Sequence, residues 1–299
     1  MSATRTDSPT PSTVPTSAHT LEPKTAFASS LQEYIFNSGF CGQQFADIQV
    51  VFFNTSLKLH RLILARSPYL AHLIITLMPG STLQLAFTDE NITEEAVYIT
   101  LQHLYNPSLE HVTAKNARAV LAAAHLFGEP DLADVAYSCV SSAISASNIS
   151  EYIEWVGISS APNGNGFAFG SAGYESDYGD YSARLRRDVL DFLLRTLPEQ
   201  IKAAPQGTLA TDPRLLAAYV PLPFELFKQC VESPDLPISF MQDRFAFAKR
   251  AIAARKKAAG VSQFEESVVL ALKDDGDGMA VHVTRKPKRS RAALWKVEG

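Results

Sequence analysis

Cysteine is scarce: Cys41, Cys139 and Cys230 are the three in 299 residues, and they are widely separated. Disulfide frameworks and zinc sites need clustered, paired thiols, so neither is expected, and a reducing compartment, cytoplasmic and/or nuclear, is. An excess of one charge is lacking too. The 27 Lys and Arg stand against 31 Asp and Glu, a net charge of −4, which provides no field across the folded chain to hold nucleic acid. Long apolar runs are also missing. The longest stretches free of charged side chains are Ser67 to Thr88, broken by Pro68, Pro79, Gly80 and Gln84, and Trp155 to Tyr174, rich in Gly, Ser, Asn and Ala. A bilayer needs about 20 apolar residues in succession, so no membrane association is expected, and no apolar run behind a basic start marks a secretory signal. What is present is an ordinary globular mixture, 46% apolar and 19% charged, on a chain long enough for roughly two domains at ~150 residues each.

Residues 1–25 hold four Ser, seven Thr and four Pro, too little apolar area to offset chain entropy, and are expected to be a disordered tail. From Ala26 the apolar residues Leu31, Tyr34 and Ile35 recur at helical spacing, with Asn37, Ser38 and Gly39 as a stop. A β-rich run from Asp47 to Phe53, a turn at Asn54 to Ser56 and a short Leu57 to Leu59 predict a hairpin. Helices are expected over Arg61 to Arg66 and from Pro68, whose missing N–H is no loss in a first turn. Pro79-Gly80 breaks the chain, and Leu83, Leu85 and Phe87 alternate as a strand. Asn91 and Glu94 have capping-box spacing ahead of the stripe Val97, Leu101 and Leu104. Helices Thr113 to Phe127 and Asp131 to about Ser145 follow. A helix from Ile149 to Val156 runs into a flexible insertion, 159–181, after which helical spacing returns. The β-like runs Ser267 to Leu272 and Met279 to Thr284, joined by Lys273 to Gly278, predict a C-terminal hairpin.

The run FADIQVVFFNTSLKLHRLILARSPYL resembles the signature of the BTB/POZ domain. An Asp opens the first core strand, a His-Arg pair follows the second, and a helix ends near Ser-Pro-Tyr: here Asp47, His60, Arg61, Leu64, Ser67, Pro68 and Tyr69. ITEEAVYITLQHLYN is similar to the family's next helix, and ARAVLAAAHLFGEPDLADVAYSCVSSAI to its last helical pair. ISEYIEWV, VPLPFELFKQCVESPDLPI and QDRFAFAKRAIAARKK resemble the BACK-type helical extension of many such proteins. The resemblance implies an α+β fold. A small sheet flanked by helices over 26–146 precedes a mostly α-helical BACK-like region over 147–260, then a β-hairpin and basic tail over 261–299. No kelch-length repeat or zinc-finger spacing accompanies it.

The resemblance also implies roles. Asp47 and Arg61 match a charged pocket at the family's dimer interface, where a carboxylate and guanidinium can pair bidentately; the alternative is an intradomain contact that only specifies the fold. His60 fits a hydrogen-bonded structural histidine better than a base, because no nucleophile and acid surround it. Leu31, Tyr34 and Ile35 lie on the helix that packs across the two-fold axis in family dimers, so a second copy covers that stripe, or else it packs on its own domain. Cullin-3 adaptors carry an apolar residue, any residue, then Glu in the loop that corresponds here to Leu77-Met78-Pro79-Gly80-Ser81-Thr82, which has no Glu.

Other motifs carry less. Gly164 to Gly170 lacks the strand and helix that a phosphate loop needs, and Asp274 to Gly278 lacks the distal Glu of a calcium loop, since Asp275 leads to Lys286. Cys41 has no basic neighbour to activate it. Arg285, Lys286, Lys288, Arg289 and Arg291 form a dense basic cluster, and Lys249-Arg250 with Arg255 to Lys257 a looser one. They fit either nuclear import or solvated charge. Trp295 is expected to dock back on the folded body. No convergent nucleophile, base and oxyanion donors are found, so no enzyme, cofactor or metal is implied. The expectation is a non-enzymatic interaction protein that binds itself and other proteins, adapting substrates to a cullin-3 ubiquitin ligase. The alternative is a nuclear transcription or chromatin co-regulator that uses the same domain as a dimerisation and recruitment platform.

Overall fold

The computed structural model describes residues 23–78, 80–155, 157, 178–202, 209–260, 263–272 and 279–288. Most of the expected tail, the Gly164 and Asp274 motifs, Arg289, Arg291 and Trp295 lie outside them. The chain divides into two compact units, one of residues 1–85 with 101–108 and one of residues 86–100 with 109–299.

In the first unit, α1 (Pro23–Tyr34) begins three residues ahead of the expected Ala26, inside the segment read as a tail. It does not stop at Asn37 to Gly39. The chain continues as a π-helical segment, Ile35–Cys41, and the N–H groups of Gly42 and Gln44 reach back to the carbonyls of Asn37 and Ser38. Gly39 is there for packing: a Cβ on it would sit 3.2 Å from Cε1 of His60 and 3.5 Å from a ring carbon of Tyr105. β1 (Ile48–Phe52) pairs antiparallel with β2 (Thr55–Leu59) and parallel with β3 (Thr82–Leu85), giving the order β2-β1-β3. The hairpin turn is Phe53-Asn54, tighter than the expected Asn54 to Ser56, with Phe53 at φ 47°. Ile48, Val50 and Phe52 alternate inward, as a half-buried strand requires. α2 (Arg61–Leu64) and α3 (Pro68–Ile74) follow. Ser67 caps α3 by accepting the Leu70 N–H at 3.3 Å, and Pro68 occupies its first position.

α4 (Glu94–Tyr105) starts in the second unit and ends in the first. Its cap is Thr93, whose Oγ1 accepts the Ala96 N–H at 3.3 Å. Asn91, the expected cap, instead directs its own N–H and amide to Asp89 Oδ1. α5 (Ala117–Phe127) ends on Gly128 in the left-handed conformation, φ 73°, which costs glycine no Cβ clash. α6 (Pro130–Ser142), α7 (Ile149–Trp155) and α8 (Asp180–Asp191) continue the second unit. Tyr178, placed by composition within the flexible insertion, is buried, and its hydroxyl donates to Asp89 Oδ2 at 2.9 Å. The Gly- and Ser-rich sequence before it hides this anchor. α9 (Leu197–Lys202), α10 (Pro213–Tyr219), α11 (Phe224–Glu232) and α12 (Met241–Ala259) form a helical body around Tyr219, Phe227 and Phe247. Tyr219 donates to the Leu193 carbonyl at 3.0 Å, and burial pushes its phenol well above the ordinary range and the Cys230 thiol up to about 12. β4 (Phe264–Leu272) and β5 (Met279–Pro287) form the antiparallel hairpin. Val281 and Val283 face inward, and Glu232 on α11 accepts the Val283 N–H at 2.7 Å.

Candidate interaction site

The start of β1 and the end of β2 bring Asp47, His60 and Arg61 together, but not as a carboxylate–guanidinium pair. Asp47 Oδ1 accepts the backbone N–H of Arg61 at 2.8 Å, satisfying a donor that α2 leaves open at its N-terminus. The Arg61 guanidinium is spent elsewhere. Its Nη2 donates to the carbonyls of Ile74 at 2.5 Å and Leu77 at 2.8 Å, and its Nη1 to that of Met78 at 3.2 Å. The expected bidentate pair is therefore corrected: main-chain carbonyls at the end of α3 and just beyond it, those of Ile74 and Met78 also accepting the Leu77 and Ser81 N–H groups, compete for the five-donor fork. The Gly80 N–H donates to the Asp47 carbonyl at 3.3 Å. Two sets of residues that the sequence kept apart, Asp47 with Arg61 and Leu77 with Met78, thus form one cluster in which Arg61 clamps the loop after α3.

His60 is held on every side. Its Nε2 lies 2.7 Å from the Gln44 carbonyl and its Nδ1 3.0 Å from the Tyr105 hydroxyl, while its backbone N–H donates to the same hydroxyl at 2.9 Å. A carbonyl only accepts, so hydrogen-bond assignment places the proton on Nε2 and makes Nδ1 the acceptor from Tyr105. Burial raises the Tyr105 phenol above its ordinary value, which keeps it a neutral donor. Tyr105 was not legible as a partner of His60, because 45 residues separate them.

Around this pinned backbone, large apolar side chains stand in solvent. Leu62 is 83% exposed, and Ile75 and Met78 are each 79% exposed; Leu77 is half-buried. A second apolar surface runs along α1. Phe27, Leu31 and Tyr34, spaced to share one face, are exposed, while Ile35 is half-buried. Gln32 ties the helix down by donating its amide to Asn106 Oδ1 at 2.8 Å.

The basic cluster is not one tail. Arg285 and Lys286 belong to β5, and Lys288 follows it with its N–H on the Gln263 carbonyl at 2.8 Å. The Arg285 guanidinium lies over the rings of Phe264 at 4.3 Å and Phe224 at 5.3 Å and 4.0 Å from Glu266. Strand pairing and ring contact commit its first members to the hairpin. Among the described residues, no group of three or more His, Cys, Asp or Glu is placed to hold a metal, and no helix is long and apolar enough to cross a membrane.

A family model described as BTB/POZ domain matches residues 36–142. The chain carries a BTB/POZ domain. BTB/POZ domains are generally protein-interaction modules rather than enzymes, and they generally mediate self-association and binding to other proteins. BTB/POZ domain-containing protein 2 of Schizosaccharomyces pombe is 25% identical over 277 residues, covering 90% of this chain and 92% of that protein. The likeness therefore extends well beyond residues 36–142. Asp47, His60, Arg61, Leu77 and Met78 fall inside the BTB/POZ match, whereas Leu31, Tyr34 and Ile35 precede it.

Proposed function

We propose that the chain is an adaptor that self-associates through α1 and recruits a cullin-3 type ubiquitin ligase through the loop after α3. Residues 147–260 act as a BACK-like region that orients what is bound. The observation that carries this reading is the pairing of a pinned backbone with exposed apolar side chains. Arg61 bonds three main-chain carbonyls, those of Ile74, Leu77 and Met78, while the Ile75 and Met78 side chains remain open to solvent. A preorganised loop loses little entropy when a partner docks on it. The family's Glu is absent from this loop, and Met78 with Ile75 supplies apolar hot-spot area in its place. A nuclear co-regulator role draws on the basic cluster, and the engagement of Arg285 in the hairpin leaves that reading less support.

Co-purification of the tagged full chain with cullin-3 tests the proposal. Wild type is expected to retain cullin-3, and Met78→Glu with Ile75→Glu to lose it while keeping the folded signal. Retention by the double variant, or none by wild type, counts against the ligase role.

A further inference from the structure

The two basic clusters, far apart in sequence, meet at one cavity of about 370 Å³ between the last turns of α12, the segment Val220 to Leu222 and the open end of the β4–β5 hairpin. That size lies in the range of about 300–1,000 Å³ typical of ligand pockets. Its apolar lining includes Val220, Leu222, Ile252 and Phe264. An ion pair lines it as well. Arg255 donates Nε and Nη2 to the two oxygens of Glu266 at 2.9 and 3.2 Å, and its Nη1 to the carbonyls of Val220 at 2.9 Å and Leu222 at 2.6 Å. Both charges are partly buried, and Glu266 also lies 4.0 Å from Arg285 Nε. Among the described lining residues the four cations Arg255, Lys256, Arg285 and Lys288 outnumber the two carboxylates Glu265 and Glu266, and Glu265 stands opposite Lys286 across the hairpin. The dipole at the end of α12 accounts for Lys256. It accounts for neither Arg285 nor Lys288, which arrive from a strand and its extension.

We propose that this cavity recognises an acidic or phosphorylated side chain of a partner protein together with that side chain's apolar neighbour. Surplus positive charge beside apolar lining draws an anion, and contact with the Phe264 and Phe224 rings restrains the Arg285 guanidinium at the cavity. A free inorganic anion makes no use of Val220, Leu222 and Ile252, whereas a peptide side chain flanked by Leu or Phe uses both kinds of lining. The site lies in the helical body and hairpin, so it stands or falls independently of cullin binding.

The test uses the full-length chain on an array of short peptides whose central residue is Asp, Glu, phosphoserine or Ser, flanked by Leu, Phe or Gly. Acidic or phosphorylated peptides with an apolar flank are expected to bind at least about tenfold better than the Ser-centred ones. That preference should fall at least about tenfold in Lys256→Glu with Lys288→Glu and weaken with salt. Both lysines are exposed, and an unchanged unfolding midpoint checks that the variant folds; if the midpoint falls, Lys256→Gln with Lys288→Gln decides in its place. Equal binding of Ser-centred peptides, undiminished binding by the folded variant, or binding of pyrophosphate with no peptide signal overturns the proposal.

Discussion

The hydroxyl of Tyr105 accepts the backbone N–H of His60 at 2.9 Å and donates to its Nδ1 at 3.0 Å, closing a network that ends at the Gln44 carbonyl. Tyr105 is 2% exposed, so no water readily replaces its oxygen. Tyr105→Phe leaves a backbone donor and a ring acceptor unpaired and is expected to destabilise the first unit by about 1–3 kcal/mol. Denaturant unfolding measures this, and a loss below a few tenths would show that the network is not structural.

Arg61 supplies its planar fork to the carbonyls of Ile74, Leu77 and Met78. Lysine keeps the charge and loses the fork. Arg61→Lys is expected to cost about 1–2 kcal/mol and to speed hydrogen exchange across residues 75–81. Asp47→Asn retains an acceptor for the Arg61 N–H and should cost less than Asp47→Ala, which removes it. Equal losses in the two variants would contradict the backbone-capping role.

Asp212 caps α10, accepting the Arg214 N–H at 2.8 Å, and pairs with the Arg214 guanidinium at 2.9 and 3.2 Å. The side-chain hydrogen bonds from Arg214 are the main cause holding its carboxyl below the ordinary value of 3.8. A depressed folded-state pKa means that the unfolded chain binds more protons, so this stabilisation is fully present above that ordinary value and is lost as pH falls through the lower folded one. Asp212→Asn keeps the cap and removes the titration. The stability gap between wild type and variant should therefore narrow as the pH drops below about 4, and a gap that is flat with pH would refute the ion-pair contribution.

Gly39→Ala presses a methyl group toward the His60 and Tyr105 rings. Overpacking of this kind costs about 1–3 kcal/mol, read as a drop in the unfolding midpoint. The same residue shows what the sequence made legible. Asn37, Ser38 and Gly39 carry the composition of a helix stop, and local composition has no access to a distant ring that needs a residue without Cβ. The alternation Ile48, Val50, Phe52 and the Ser67-Pro68 cap were readable because period and cap chemistry are local. Thr93 displaced Asn91 as the cap of α4 because Asp89 captures the Asn91 N–H, a competition that spacing alone does not register. Asp47 and Arg61 were legible as partners, but the wrong atoms were paired. Opposite charge is visible in a sequence, while the carbonyls that converge on Arg61 at the end of α3 come together only once the chain folds. Tyr178 was hidden by the Gly- and Ser-rich residues before it.

Self-association through α1 is the claim on which the adaptor reading depends. Phe27, Leu31 and Tyr34 are exposed together on one face, and a two-fold contact would bury each residue twice. Light scattering coupled to gel filtration on the full chain, run beside Leu31→Glu with Tyr34→Glu, measures it most directly. The account predicts twice the chain mass for wild type and a dissociation constant raised at least about tenfold in the variant, with the folded signal unchanged. A wild-type chain that runs as a monomer at micromolar concentration, or a variant that dimerises as well as wild type, would contradict it.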